Sequence, residues 1–465
     1  MLNLNEVKKV YFIGIGGIMM SALANYFLVQ KKEVSGSDRD KTEIIDALIK
    51  KGIKFNLEQV KENINADIDF VIYTQAIDED QVELVQAKKL GLPAYTVYQV
   101  LGELSVDKFT VAVAGTHGKS TVSSMLGLLT AKAKFDPTVF VGTKLKEWQS
   151  NFRNGQSNYL VSEACEYKNS FLEYKPNIAV INNIEAEHLD FFEDLEGVMQ
   201  SFEQFTNQIK KDGWLVINGD NQNAVQIADN FIGNKVSFGL VSTVDFKAKN
   251  IKLGQQTKFT LACDQRWSDY NGQKFILQVP GEFNIYNALA VIAVAAVLKI
   301  KIEIVQQVLN DFLGVWRRFE FKKEKEGIKY YDDYAHHPTE VKATIGAAKN
   351  KFKNKKWWLI YQPHLYSRTN DFLDEFAEVL NEVDNLILAP IYPAREVNKW
   401  GIKSGDIVNL INKKYKRPQP AVFVGKDYKT DVADGYAEIK KYLAEHVKSG
   451  EIVMTMGAGD VDIIL

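Results

Sequence analysis

Short apolar runs rich in Val, Ile, Phe and Tyr alternate with helix-length segments along almost the whole chain, and this alternation restricts the fold more than any other feature. Burying such a pattern calls for parallel strands joined by helical crossovers, so an α/β architecture is expected. The runs at 10–13, 70–73, 109–114, 159–162, 178–181, 215–217, 329–331, 357–361, 386–389 and 452–456 read as strands. The most apolar stretch, 288–300, is interrupted by Lys299 and is shorter than the roughly 20 residues that span a bilayer. It reads as a buried helix. A chain of 465 residues exceeds one ordinary core. At about 150 residues per domain, three domains are expected, and we place them at 1–105, 106–314 and 315–465.

Composition removes several function classes. With 46% hydrophobic and 25% charged residues the chain should pack rather than remain disordered. A formal charge of -2, from 57 basic and 59 acidic residues, gives no field to hold a polyanion. Neither nucleic acid nor an anionic membrane surface is therefore an expected partner, and the shortness of the apolar stretch argues against membrane insertion. Cys165 and Cys263, the only two cysteines, cannot build a disulfide framework and lack zinc-site spacing. Residues 1–9 have no signal-peptide core, so a cytoplasmic location is expected.

The strongest local motif is Gly115-Thr116-His117-Gly118-Lys119-Ser120, placed between an apolar strand and a helix that starts near Thr121. Glycines there let backbone N–H groups approach phosphate oxygens, and the helix N-terminus adds partial positive charge. Lys119 can neutralise the β- and γ-phosphates of ATP, and the Ser120 hydroxyl can ligate Mg²⁺. Glu163 and His188 follow other strands of the same block. Ligands bind beyond the carboxyl ends of parallel strands, so the two can converge on the loop and hold a second divalent ion.

Three further turns carry polar groups. Gly14-x-Gly16-Gly17 can admit a pyrophosphate, and Asp38, after the next strand, can accept hydrogen bonds from a ribose or base. Beyond 315, Asp332-Asp333-Tyr334-Ala335-His336-His337 and Gln362-Pro363-His364-Leu365-Tyr366-Ser367-Arg368 each join a strand end to a helix start. Arg368 could grip a carboxylate through paired N–H donors, and Asp333 could bind ribose hydroxyls. Five of the six histidines fall in these few segments, which a scattered structural role would not produce.

Taken in order, these motifs resemble the Mur ligases of peptidoglycan synthesis. The match runs through Phe12 to Gly17, Met20-Ser21, Ser35 to Asp38, Gly115 to Thr121, Glu163 to Glu166, Asn183 to Glu185, His188, Gly281 to Asn284, Asn287, Arg317 to Glu320, Asp333 to His336 and Gln362 to Arg368. It implies a Rossmann-like N-terminal domain, a central P-loop ATPase-like domain and a Rossmann-like C-terminal domain. It also implies ATP-dependent ligation of L-alanine to UDP-N-acetylmuramate through an acyl phosphate, with Mg²⁺ required.

By the same resemblance Gly14, Gly16, Gly17, Ser21, Ser37 and Asp38 face the UDP-sugar, and Lys119, Glu163 and His188 are catalytic. Ser120, Glu163 and His188 are near metal, while Gly115 to Thr121 with Asn284, Asn287, Arg318 and Asp333 surround ATP. Tyr334, His336, His364 and Arg368 lie near the amino acid. The chain departs from the family pattern at Met19, Phe283 and Leu365, where glycine, histidine and arginine are usual. Three other readings remain open on sequence alone: a ligase that returns a ready-made peptide to the same sugar nucleotide, a nicotinamide-dependent oxidoreductase using the Gly14 turn, and a nucleotide-binding regulator without turnover.

Overall fold

The computed structural model describes residues 4, 6–394, 396–424 and 432–465. The chain divides into two compact units: one of residues 1–250, 259–275 and 286–311, the other of 251–258, 276–285 and 312–465.

In the first unit, a five-stranded parallel sheet runs in the spatial order Lys54–Asn56, Glu33–Ser37, Lys9–Ile13, Phe70–Tyr73 and Ala94–Thr96. The order reverses beside Lys9–Ile13, and the turn that follows this strand lies at such a switch point, the favoured ligand position of open α/β sheets. A larger sheet has Phe109–Ala114 near its centre, paired in parallel with Tyr159–Glu163 on one side and Ile178–Ile181 on the other. Beyond Tyr159–Glu163 come Thr138–Leu145 and the antiparallel edge strand Ser150–Arg153; beyond Ile178–Ile181 come Trp214–Asn218 and Asn234–Gly239.

The first two expected blocks fall in one unit because they share a core. The helix Ile18–Val29 follows the first strand, and Phe27 packs on Phe12 and Phe70 beneath the small sheet. Its neighbour Tyr26 packs on Phe140 and Phe152 of the larger sheet. The apolar stretch near 288–300 forms the helix Phe283–Val297, and residues 288–295 are buried without exception. That accounts for its hydrophobicity without a membrane. Among the described residues no helix is long and apolar enough to cross one.

The second unit is built on a six-stranded sheet in the order Glu320–Lys325, Ile328–Asp333, Ile452–Met456, Trp357–Tyr361, Asn385–Leu388 and Val422–Phe423. Only the first pair is antiparallel. Asp333, Tyr361 and Met456 sit in register at one edge, so the loops after those strands open on the same side. The helix Pro338–Lys351 starts there, with His337 as its N-cap and Pro338 in its first turn, where a missing N–H does no harm.

Candidate active site

At the phosphate loop the backbone turns sharply between Ala114 and the helix Lys119–Lys132. Gly115 and Gly118 have φ of +130° and +82°, which L side chains rarely adopt. A Cβ on Gly118 would lie 2.5 Å from Asn287 Oδ1 and 2.9 Å from Asn182 Nδ2, so glycine is needed for space as well. The loop is held from the neighbouring strand end: Thr116 N donates to Asn183 O at 3.1 Å, His117 N to Asn183 Oδ1 at 2.7 Å, and Glu185 N to Thr116 Oγ1 at 2.9 Å. Ser120 and Thr121 follow in the first helical turn, whose N–H groups lack partners within the helix.

Lys119 curls back over this loop. Its Nζ donates to Gly115 O at 2.6 Å, Thr116 O at 3.0 Å and Glu166 Oε1 at 2.9 Å. Burial disfavours the ammonium, but Glu166 foremost, with Cys165, Glu187 and Glu163, overcomes this and holds its pKa above the ordinary value. The charge is therefore permanent. Cys165, between the two glutamates, is driven the other way: burial, then Glu166, pushes its thiol up to about 12, so it is not a nucleophile at neutral pH.

The structure brings His188 and Glu163 to the same sheet edge as the loop but into different contacts. Glu163 Oε2 accepts from Gly142 N at 2.9 Å. His188, held at φ +57° and packed on the Tyr167 ring at 4.7 Å, approaches Glu166 instead, with Nε2 3.9 Å from Oε1. Among the described residues Glu166, Glu187 and His188 form a metal-capable trio, with ligand atoms all within 4.8 Å of one another. Glu166 Oε2 is buried and has no hydrogen-bond partner among those residues. An orphaned carboxylate oxygen beside a second carboxylate and an imidazole fits a hard divalent cation. Sequence reasoning did not single out Glu166 or Glu187; the spacing Glu163-x-x-Glu166 was visible, but not which carboxylate turns toward Lys119.

At the N-terminal turn, Asp38 Oδ2 accepts from Gly16 N at 2.8 Å, and Gly14 N donates to Ser37 O at 2.8 Å. Gly17 is the N-cap of the next helix. Ser21 faces inward, bonded to Ile18 O and to Asn151 Nδ2. Ser37 Oγ donates to the buried Glu83, which also accepts from Tyr11 and Asn63.

In the second unit two adjacent arginines part company. Arg317 is buried: its Nε pairs with Asp332 at 2.8 Å and its Nη2 donates to Gly457 O at 2.7 Å. Arg318 is partly exposed, lying over the Tyr334 ring at 5.4 Å with Nη1 3.5 Å from Glu340 Oε1. Asp333 is buried, and its carboxylate accepts from Phe319 N at 2.7 Å, Ala335 N at 2.8 Å and the Thr344 hydroxyl at 3.2 Å. It shapes the loop from inside. Asn284 is buried, its amide donating to Pro280 O at 2.7 Å.

The histidines gather on the same strand-end face. The rings of His336 and His364 meet edge to face at 5.7 Å, and His364 stacks on Tyr392 at 5.6 Å. Arg368 Nη1 lies 3.4 Å from His364 Nδ1. Burial first, then His336 and Arg368, pushes the His364 pKa down to about 3, so its imidazole is neutral at physiological pH. Leu365 takes φ +70°, turning the chain into the helix Tyr366–Asp371 that carries Arg368.

Comparisons with known proteins identify the family. Residues 9–108 match the model of the Mur ligase family catalytic domain, 113–295 that of the Mur ligase middle domain and 317–459 that of the Mur ligase glutamate ligase domain. The chain belongs to the Mur ligase family and has its three-domain fold. It is 39% identical over 464 residues to the UDP-N-acetylmuramate--L-alanine ligase of Caldanaerobacter subterraneus subsp. tengcongensis, covering 99% of this chain and 97% of that protein. To the ligase of the same name from Clostridium kluyveri it is 41% identical over 458 residues, covering 98% and 96%. Among solved structures, the UDP-N-acetylmuramate-alanine ligase MurC of Thermotoga maritima superposes with a TM-score of 0.82 at 26% identity, covering 98% of this chain and 97% of that one. A murein peptide ligase from Psychrobacter arcticus shares the fold, with a TM-score of 0.69 at 21% identity over 98% and 97% of the two chains.

Proposed function

We propose that this chain joins L-alanine to UDP-N-acetylmuramate at the expense of ATP, the first peptide-addition step of peptidoglycan synthesis. The observation that carries this reading is whole-length identity of 39–41% to ligases of that name. A carboxylate is a poor acylating agent because its leaving group would be oxide. Attack of the sugar carboxylate oxygen on the γ-phosphorus breaks the bond to ADP and gives an acyl phosphate. The alanine amine then attacks the carbonyl carbon, and phosphate leaves.

In this reading residues 1–105 hold the UDP-sugar through Gly14, Gly16, Gly17, Ser37 and Asp38, with Ser21 supporting the turn from within. Residues 106–314 hold ATP at Gly115 to Thr121, where Lys119 neutralises phosphate charge during transfer. Residues 315–465 supply Arg318 and, through the loop it shapes, Asp333 on the nucleotide side; Asn284 and Asn287 complete that set. Tyr334, His336, His364 and Arg368 receive the amino acid, with Arg368 on its carboxylate. Mg²⁺ would be held by His188 and Glu166 with Glu187, Glu163 and Ser120 nearby, and when bound it would offset phosphate charge. Consumption of ATP supports a cytoplasmic location for this step.

Phosphate release measured with ATP, UDP-N-acetylmuramate and a panel of acceptors tests the proposal. Release should require both the sugar nucleotide and L-alanine. A preference for a tripeptide over alanine would move the chain to the recycling reaction, and a nicotinamide absorbance change without phosphate release would refute the ligase reading.

A further inference from the structure

We propose that Glu340 is a positioning residue that fixes the tautomer of His336, so that His336 Nε2 takes the proton from the incoming amine. This rests on the assignment of His336 to the amino-acid side. An amino acid arrives as an ammonium ion, which has no lone pair to attack an acyl phosphate. One proton must leave its nitrogen first, and the sequence motifs name no base for that step.

Geometry supplies one. His336 Nδ1 lies 3.0 Å from Tyr334 O and 3.3 Å from Glu340 Oε2. Both neighbours only accept hydrogen bonds, so Nδ1 carries the hydrogen and Nε2 is the basic nitrogen of the neutral ring. The carboxylate also stabilises the imidazolium formed when Nε2 is protonated, and that proton passes on to water. Glu340 is well placed to be constant in this role. Its side chain is 13% exposed, Oε2 also accepts from His336 N at 3.2 Å, and Oε1 is 3.5 Å from Arg318 Nη1. Among the described residues, other charged or titratable groups near the ring include Tyr334, at 5.4 Å, and His364 with Arg368 beyond it. Burial first, then His336 and Arg368, holds the neighbouring His364 imidazole neutral.

A purely architectural role makes a different prediction. Glu340 is in the first turn of the helix Pro338–Lys351, where a side-chain oxygen commonly binds a backbone N–H near the helix start. Glutamine would serve that purpose equally well, keeping the bond to His336 N, but it lacks the charge and can turn its amide donor toward Nδ1. Glu340→Gln should therefore fold with the parent denaturation midpoint, bind UDP-N-acetylmuramate as the parent does, and lose about 10²-fold in kcat. The deficit should narrow as pH rises through the pKa of the amine, because the free amine no longer needs a base. Glu340→Asp should recover part of the loss.

Parent-like kcat in Glu340→Gln, or a deficit that is constant with pH, would reduce Glu340 to a capping residue. Nitrogen NMR of the imidazoles gives a test that needs no turnover. In the parent, His336 should carry its hydrogen on Nδ1, and this preference should weaken in Glu340→Gln. Hydrogen on Nε2 in the parent would overturn the proposal even if ligase activity is present. Absence of alanine-dependent phosphate release from the parent, with the Nδ1 tautomer intact, would count against the substrate assignment and against this proposal's base step together, but not against the Glu340–His336 coupling.

Discussion

The phosphate loop and the histidine cluster both lie beyond the carboxyl ends of parallel strands, yet they handle charge in opposite ways. At the loop the one lysine is already neutralised: Lys119 is bonded to Glu166 and to two backbone carbonyls of the loop. In the cluster Arg318, His336, His364 and Arg368 converge with Glu340 as the acidic side chain among them. A phosphate entering the first site must draw Lys119 away from contacts it already has. A carboxylate entering the second finds a guanidinium whose described polar contact is a neutral imidazole. On the proposed reading, the first site would discriminate among ligands by what they displace, and the second by fit to a fixed fork.

The largest effect should come from the loop. Lys119→Ala is expected to lower kcat by about 10³-fold, read as phosphate release, while calorimetry shows unchanged affinity for UDP-N-acetylmuramate. It should also destabilise the fold, since Glu166 would lose its cation while still buried. Adding Glu166→Gln should restore stability without restoring rate. Near-normal turnover in Lys119→Ala would remove the loop from the chemistry, and the contrast between the two sites with it.

Arg317 and Arg318 sharpen the comparison within the second unit. Arg317→Met should cost about 3–5 kcal/mol in chemical denaturation, because Asp332 is left buried and unpaired. Arg318→Met should leave stability nearly unchanged and raise the KM for ATP. If the two variants lose stability equally, Arg318 is part of the framework and its place on the nucleotide side is lost.

How far these features could be read in advance follows from how local they are. The phosphate loop is one continuous segment with a strand before it and a helix after it, so its glycines, lysine and serine announce themselves. The principal strands are legible for the same reason: Phe70–Tyr73, Phe109–Ala114 and Ile178–Ile181 have the bounds that their apolar runs suggest. By contrast, Glu163 and Glu166 are chemically alike and three residues apart, and only the approach of His188, in a left-handed conformation, selects Glu166. The division of labour between Arg317 and Arg318 is equally invisible in sequence. It depends on the loop at Gly457 and Gly459, far along the chain, which takes up the first guanidinium. Motif order identifies such positions as important without saying which one holds the fold.

Arg368→Lys tests the second site at a smaller scale. Lysine keeps the charge but loses the planar pair of donors, so the KM for L-alanine should rise about tenfold, with those for ATP and UDP-N-acetylmuramate less affected. An equal rise for all three substrates would count against a specific carboxylate contact.

The smallest effect concerns the floor beneath that site and should have the opposite sign. Tyr361 ends the strand that leads to His364 and Arg368; it is fully buried against Phe376, and its hydroxyl has no hydrogen-bond partner among the described residues. Burial holds its pKa above the ordinary value, with Arg368 opposing and Glu340 adding to the shift, so the hydroxyl is neutral. A buried hydroxyl without a partner has given up its bonds to water and gained none in return. Tyr361→Phe removes the oxygen and keeps the ring, so it should raise stability by about 1 kcal/mol, measured by urea denaturation with an unchanged slope. The kinetic constants for ATP and UDP-N-acetylmuramate should stay at parent values, since the rest of the packing is retained. Destabilisation of similar size would instead mean that an internal water serves the hydroxyl. A rise in the KM for alanine alone would place the Tyr361 hydroxyl in the support of Arg368, and the floor would then belong to the site above it.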